Sequence, residues 1–171
     1  MPSGCSSTYT QVNWDGRSAP LRDALAVCLS TLGRSGEAVR ELQAACRLSP
    51  KDALYRYKLG LALNEAGQLA ESVGALEESV KLDPPMAQAW YNLGLAYSAS
   101  RRDQEAMQAL TRAESVDSSS ARIPYARATI LARLGRIDEA RQAAARALEI
   151  QRDHRDAANL LEQLSRSEPP P

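Results

Sequence analysis

The sequence repeats itself every 34 residues, and this period constrains the fold more than any other feature. Tyr57, Tyr91 and Tyr125 are separated by this step. Small residues recur with it in three series: Ala26, Gly60, Gly94 and Ala128; Ala38, Ser72, Ala106 and Ala140; Ala45, Ser79, Ala113 and Ala147. A fixed period of this length indicates one supersecondary unit copied end to end, rather than a single folded core.

Each unit predicts two antiparallel helices. In the second unit, one apolar-periodic segment covers about 53–66 and is ended by Gly67, and the next covers about 70–82 and is ended by Pro84. No segment alternates with period two, so no strands are expected. The small residues allow close helix contact, and larger ones are expected to fill the space between helices. These fillers are Leu29, Leu63, Tyr97 and Leu131 on the first helix, and Leu42, Leu76, Leu110 and Ala144, then Leu48, Leu82, Val116 and Ile150, on the second.

Composition limits the class of protein. The chain carries 21 basic and 21 acidic residues, and nucleic-acid binding requires a basic surface, so no nucleic-acid partner is expected. No apolar run is long enough to span a membrane, and the N-terminus lacks a secretory pattern, which favours a cytoplasmic protein. A signal removed before this sequence begins would not be visible. Cys28 and Cys46 are expected to be buried, while Cys5 is a candidate reactive or intermolecular thiol.

The sequence contains no pattern typical of catalysis. It has no metal-ligand spacing, phosphate-binding loop or nucleophile motif, so we expect neither an enzyme nor a bound metal or cofactor. The lone His154 is expected to be a solvated surface residue. Recurrent carboxylates are expected on solvated helix faces beside basic residues; they are Asp23, Glu37, Glu71, Glu105 and Glu139.

The segment Trp90-Tyr-Asn-Leu93-Gly94-Leu-Ala-Tyr97, followed by Ala106-x-x-x-Leu110, resembles the tetratricopeptide repeat signature. The resemblance extends over four units: 19–52, 53–86, 87–120 and 121–154. It implies an all-α, right-handed superhelical solenoid of antiparallel helix pairs. The chain departs from the signature at four places: Arg101 replaces the turn glycine, Ser118 and Arg152 replace the closing proline, and Arg127 replaces a leucine.

The ends differ from the repeats. Residues 1–18 are expected to be an irregular segment, 155–166 a capping helix and 167–171 a disordered tail. Ser18 is a candidate N-cap for the first helix, with Pro20 in its first turn. No helix pattern precedes the first repeat, so either the chain is a fragment of a longer array or another element covers that face.

The resemblance also implies a ligand site, because the first helix of each repeat lines the concave surface in this family. The implied groove residues are Leu54, Tyr57, Lys58, Leu61, Asn64, Gln88, Tyr91, Asn92, Leu95, Arg122, Tyr125, Thr129, Arg133 and Asn159. The three tyrosines would form a ladder, with Asn92, Lys58 and Arg122 orienting the ligand. Some family members grip chaperone tails with five residues; here only Asn92 and Arg122 match, so that ligand is not expected.

The resemblance therefore predicts a protein-interaction module that binds a partner peptide or helix. Seven arginines in the fourth repeat also suggest a partner with an acidic segment. Two alternatives remain open. One is a homo-oligomer formed through Leu21, Leu25 and Leu29 of the first repeat, and the other is a module of a larger enzyme or assembly.

Overall fold

The computed structural model of the protein describes residues 18–166. The predicted irregular segment 1–17 and tail 167–171 lie outside the described residues. Within 18–166 the chain forms nine α-helices and no strand. They are α1 Ala19–Thr31, α2 Ser35–Leu48, α3 Ala53–Glu65, α4 Leu69–Leu82, α5 Ala87–Ala99, α6 Asp103–Val116, α7 Arg122–Arg133, α8 Ile137–Ile150 and α9 Arg155–Arg166.

The turn inside each helix pair uses a left-handed backbone conformation. Gly33, Gly67 and Gly135 have φ values of 72°, 75° and 73°. Arg101 occupies the same place between α5 and α6 with φ 60°, a conformation that costs a residue with a Cβ more than it costs glycine. The substitution noted in the sequence therefore preserves the turn and makes it strained.

The helices pack as successive antiparallel pairs, α1 with α2, α3 with α4, α5 with α6 and α7 with α8. Each even-numbered helix also contacts the odd-numbered helix that follows it. The odd-numbered helices touch one another directly, α3 with α5, α5 with α7 and α7 with α9, and the even-numbered helices have no comparable contact. This difference places the odd-numbered helices on the inner side of the stack. The predicted all-α solenoid of helix pairs is confirmed.

The glycines of the first helix of each pair allow close packing against leucine. A Cβ added at Gly60 would lie 2.6 Å from Leu76 Cγ, and one at Gly94 would lie 2.7 Å from Leu110 Cγ. In the fourth pair, Ala128 and Ala144 occupy the corresponding positions and both are fully buried. In the second and third pairs, leucine fills the space left by the missing side chain of glycine. In the fourth pair, two alanine side chains fill the same space.

The serines in the small-residue series on the second helix are buried, and their hydroxyl groups are hydrogen-bonded. Ser72 Oγ donates to the Gly60 carbonyl at 2.7 Å, and Ser79 Oγ donates to the Ala53 carbonyl at 2.9 Å. Both acceptors belong to α3, so each hydroxyl joins the two helices of the pair. A buried hydroxyl without such a partner would be destabilising.

Two sequence expectations about burial are wrong. Leu48, Leu82 and Val116 were expected to fill the core but are exposed, since each is the last residue of its helix and the chain turns away there. Cys28 was expected to be buried and is exposed, because no helix of residues 18–166 precedes α1 to pack on the side that carries it. Cys46 is buried as expected, and burial raises the pKa of its thiol.

The N-terminus of α1 shows a capping position without a capping bond. Ser18 is the N-cap residue, but its side chain makes no hydrogen bond to the helix, and Pro20 in the first turn has no N–H to offer. By contrast, Asp52 caps α3 and accepts from the backbone N–H of Leu54 at 2.9 Å. No helix in residues 18–166 is long and apolar enough to cross a bilayer.

Candidate functional site

The inner faces of α1 and α3 enclose a shallow depression of about 310 Å³. Tyr57, Lys58 and Leu61 line it from α3, and Asp23 and Val27 line it from α1. The three α3 residues share one helix face, since positions three and four residues apart are neighbours on a helix. Three predicted groove residues are therefore brought together here.

A second depression, of about 210 Å³, lies between α3 and α5. Leu61 and Asn64 line it from α3, and Asn92 and Leu95 line it from α5. Leu61 belongs to both depressions, so they form one continuous inner surface across three odd-numbered helices. This surface, lined by Asp23, Val27, Tyr57, Lys58, Leu61, Asn64, Asn92 and Leu95, is called the inner groove below.

Asn92 fixes the orientation of Tyr57. Its Nδ2 donates to Tyr57 Oη at 3.1 Å and to the Gln88 carbonyl at 2.8 Å. The Tyr57 ring is half-buried and packs against the central core, and burial raises the pKa of its phenol. The ring is therefore held in place by the neighbouring helix pair before any ligand is present.

Arg122 lies over the ring of Tyr91, with Cζ 4.8 Å from the ring centroid. Its charge also acts on Tyr57, where it opposes the effect of burial on the pKa. Arg122 is exposed and forms no ion pair with any residue in 18–166. A guanidinium in this arrangement retains its hydrogen-bond donors for an anionic group.

Tyr125, the third tyrosine, lies beside the junction with α9. The His154 ring is 4.9 Å from the Tyr125 ring at an interplanar angle of 44°. Burial, followed by the charge of Asp156, raises the pKa of the Tyr125 phenol. One side of the Tyr125 ring is therefore covered by His154, whereas the sequence suggested that this ring is open to a ligand.

His154 is not a solvated surface residue, so that expectation is wrong. It is partly buried against Tyr125, and its Nδ1 accepts a hydrogen bond from the Ala157 backbone N–H at 3.3 Å. The acceptor lies three residues before the donor at the start of α9, which is the geometry of an N-cap. His154 thus joins the fourth helix pair to the last helix.

Two other basic residues of the predicted site are already paired. Lys58 Nζ lies 2.8 Å and 2.6 Å from the two carboxylate oxygens of Asp23. Arg133 forms an ion pair with Asp103 and donates to Ser98 Oγ at 2.8 Å. Asp23 was expected on a solvated face and instead bridges α1 to α3. Glu37, Glu105 and Glu139 do stay near the surface, each paired with the arginine three residues before it.

The other predicted residues line neither depression; they are Leu54, Gln88, Tyr91, Arg122, Tyr125, Thr129, Arg133 and Asn159. Leu54 on α3 is 44% exposed, and Leu95 within the groove is 38% exposed. Large apolar side chains with this exposure can contribute affinity when a ligand covers them. Gln88, Thr129 and Asn159 are also exposed, on α5, α7 and α9.

The sequence prediction missed the α1 side of the groove. Asp23 and Val27 lie 34 residues before Tyr57 and Leu61, so the period itself could have identified them. It also missed a cleft of about 800 Å³ on the opposite face of α5, which is lined in part by Trp90, Tyr97 and Met107. No pattern in the sequence distinguishes those residues from ordinary core positions.

In this cleft, called the outer cleft below, Tyr97 is the residue whose pKa is shifted most. Its Oη donates to Glu77 Oε1 at 2.6 Å, and Arg102 Cζ lies 4.4 Å from its ring centroid. Burial, reinforced by the bond to Glu77, raises the pKa of Tyr97 to about 12. Among the described residues, no cluster of three metal-ligating side chains occurs.

The family model for the tetratricopeptide repeat matches residues 24–87, 65–121 and 104–151. These matches together cover well over half of the sequence, and the chain belongs to the tetratricopeptide repeat family. Such proteins are helical scaffolds for protein interaction, and the chain is assigned to that broad class. A search of curated proteins finds no match to it.

Solved structures with the same fold include three of particular relevance. MamA (41-end) from Desulfovibrio magneticus RS-1 is 20% identical with TM-score 0.73, over 91% of this chain and 98% of that one. YrrB, described as a TPR protein with an unusual peptide-binding site, is 20% identical with TM-score 0.79, over 86% of this chain and 76% of that one. The first TPR of Spaghetti (RPAP3), bound to the HSP90 peptide SRMEEVD, is 21% identical with TM-score 0.65, over 68% of this chain and 92% of that one.

Proposed function

We propose that this chain is a scaffold that binds an extended peptide or helix of a partner protein along the inner groove. The proposal rests on one observation: the same surface carries apolar side chains that are open to solvent and an aromatic side chain that is held in a fixed orientation. Leu95 and Leu61 offer apolar contact, while Tyr57 is held from behind by Asn92. Preorganised aromatic and apolar side chains bind with little loss of conformational entropy.

We further propose that the chain is divided into four repeats, 19–52, 53–86, 87–120 and 121–154, with α9 as a cap. The helix pairs α1/α2 to α7/α8 each lie within one of these ranges. The solved TPR structures bound to or described with peptides make peptide binding a reasonable function for this surface. The expected ligand chemistry comes from the residues of this chain, not from those ligands.

Arg122 sets the charge preference of the proposed ligand. Lys58 and Arg133 are neutralised by Asp23 and Asp103, so they add little net attraction for an anion. Arg122 has no such partner within residues 18–166; it lies over the Tyr91 ring, and its charge also acts on Tyr57. The ligand is therefore expected to place an acidic side chain or carboxylate beside Tyr91, with apolar side chains toward Leu61 and Leu95.

The proposal can be tested with peptides selected from a random library by binding to the unaltered protein. The Kd of a selected peptide is measured for the parent, for Leu95→Ala in the inner groove and for Gln104→Ala, which changes an exposed residue of the outer cleft. Truncating one anchor should cost about 1–2 kcal/mol, or roughly 5- to 30-fold in Kd. Equal affinity of the parent and Leu95→Ala would remove the groove from the proposal.

The role of Arg122 has a separate test. Arg122→Glu should weaken binding of an acidic selected peptide and reduce the salt dependence of its Kd. The same peptide with its acidic residues replaced by glutamine should bind parent and variant alike. If Arg122→Glu leaves the affinity and the salt dependence unchanged, the acidic preference is wrong.

A further inference from the structure

The first helix carries an apolar stripe that no described part of the chain covers. Leu25 is 46% exposed and Leu32 is 70% exposed, and Cys28 between them is exposed as well. The two charged residues of α1, Arg22 and Asp23, lie outside the stripe and pair with Glu41 and Lys58. The stripe is therefore continuous and uncharged over most of the helix.

The register of the stack shows what kind of surface this is. The residues 34 positions after Leu21, Leu25 and Cys28 are Tyr55, Leu59 and Ala62, which are 8%, 6% and 3% exposed. They belong to the same buried cluster as residues of the preceding helix α2. The α1 stripe is thus the side on which, in the next pair, a preceding element packs.

We propose that the chain's own residues 1–17 cover this stripe, with Tyr9, Val12 and Trp14 as the contacting side chains. The length is suitable, because residues 35–52, which form α2 and its connection to α3, are a stretch of nearly the same size. The segment has apolar residues for the contact, and Asp15-Gly16 just before Ser18 favours the turn needed to reverse the chain.

The cover does not need to be helical. The stripe from Leu21 to Leu32 is about 16 Å long at the helical rise of 1.5 Å per residue. An extended chain advances about 3.3 Å per residue, so the six residues from Tyr9 to Trp14 can span it. This accounts for a segment that contains apolar residues but no helical pattern.

A tethered segment fits the size of the stripe better than a second copy of the protein does. Stable interfaces bury about 800 Å² on each partner and use roughly 20–30 residues a side. The stripe consists of a few side chains on one helix, far short of that requirement. A segment joined to α1 acts at an effective concentration in the millimolar range, so a small apolar contact is sufficient.

The thiol of Cys28 reports directly on this cover. In the full chain with Cys5→Ser, the rate of maleimide labelling at Cys28 is compared with the rate in the same chain carrying Tyr9→Ser and Trp14→Ser. We expect labelling to be several-fold faster in the second protein. Cys46 is buried and should react slowly in both, and mass spectrometry of peptides identifies the labelled residue.

Two controls make the result specific. Replacing Gln11 and Asn13 by serine changes polar residues of the same segment and should leave Cys28 protected. The rates should also be independent of protein concentration across a dilution series. Equal labelling rates with and without Tyr9 and Trp14 would overturn the proposal, as would protection that disappears on dilution, which would assign the stripe to a second copy. None of the substitutions lies in α1–α9, so unchanged helix content by circular dichroism verifies the fold.

Discussion

The side-chain amide of Asn92 on α5 donates a hydrogen bond to the hydroxyl of Tyr57 on α3, at 3.1 Å. The two residues are 35 positions apart, one repeat length plus one residue. Asp23 and Lys58 have the same separation and connect α1 to α3. Groove residues of successive helix pairs therefore contact one another, and this makes the inner groove a connected surface.

Asn92→Ala should lower the free energy of unfolding by about 0.5–1.5 kcal/mol, the usual net value of one such hydrogen bond. Tyr57→Phe removes the same bond from the other side. Urea denaturation of both single variants and the double variant should give a double cost smaller than the sum. Strictly additive costs would show that the bond makes no contribution in solution.

Gly94→Ala should destabilise the protein by about 1–3 kcal/mol, because the new Cβ would lie too close to Leu110. Gly74→Ala is the matched control, since Gly74 is also in a helix but has nothing within 4 Å of an added Cβ. That change should stabilise by about 0.5–1 kcal/mol through helix propensity. Urea denaturation measures both effects.

The clash also predicts a rescue. In a Leu110→Ala background, Gly94→Ala recreates the Ala128 and Ala144 pairing of α7 and α8 and should no longer destabilise. If Gly94→Ala lowers the free energy of unfolding as much in the Leu110→Ala protein as in the parent, the strain does not come from the contact with Leu110.

Arg101→Gly should stabilise the protein by about 0.5–1 kcal/mol. The φ of 60° at Arg101 is left-handed, where glycine avoids a cost of about 1–2 kcal/mol but loses more conformational entropy on folding. Gly67→Ala, at the same place in the preceding turn, should have the opposite effect. Thermal unfolding of the two variants compares them, and equal signs would contradict the interpretation of the turn.

Tyr97 should make the stability depend on pH above 10. Its pKa is raised to about 12 in the folded chain, against about 10 when unfolded. As the pH rises, Tyr97 loses its proton at a lower pH in the unfolded state than in the folded state. Its contribution to the free energy of unfolding is therefore fully present below pH 10 and is lost as the pH rises from about 10 to 12. Tyr97→Phe should flatten the decline of unfolding free energy in this range. Burial raises the pKa of Tyr57 and Tyr125 too, so a smaller decline should remain in the variant. A parent and a variant with identical pH profiles would exclude the effect.

The sequence predicted the helices and their pairing well, because those depend on local signals. Gly67 and Pro84 mark helix ends, and the Gly60 series marks close contacts within a pair. The contacts between pairs could not be predicted in the same way. The stacking of His154 on Tyr125 depends on the rotation from one pair to the next, which a period does not encode.

Burial at the edges of the stack was also beyond the sequence pattern. Cys28 and Ala62 occupy the same position in the period, but among residues 18–166 a preceding helix packs only over Ala62. Leu82 keeps the apolar character of a core residue at a helix end, where its side chain is 42% exposed. The repeat period predicts which residues are buried in the interior of the stack. It does not predict burial on the open side of the first helix or at helix ends, where burial depends on the neighbouring residues.

The most direct test of groove binding is photocrosslinking of a peptide selected for binding to the unaltered protein. A photoreactive benzoylphenylalanine is placed at Leu95 in the inner groove or, as the control, at Gln108 in the outer cleft, both of which are exposed. Crosslinking at position 95, abolished by excess unlabelled peptide and absent at position 108, is the predicted result. Crosslinking at position 108 with none at position 95 would contradict a ligand site on the inner face of the odd-numbered helices.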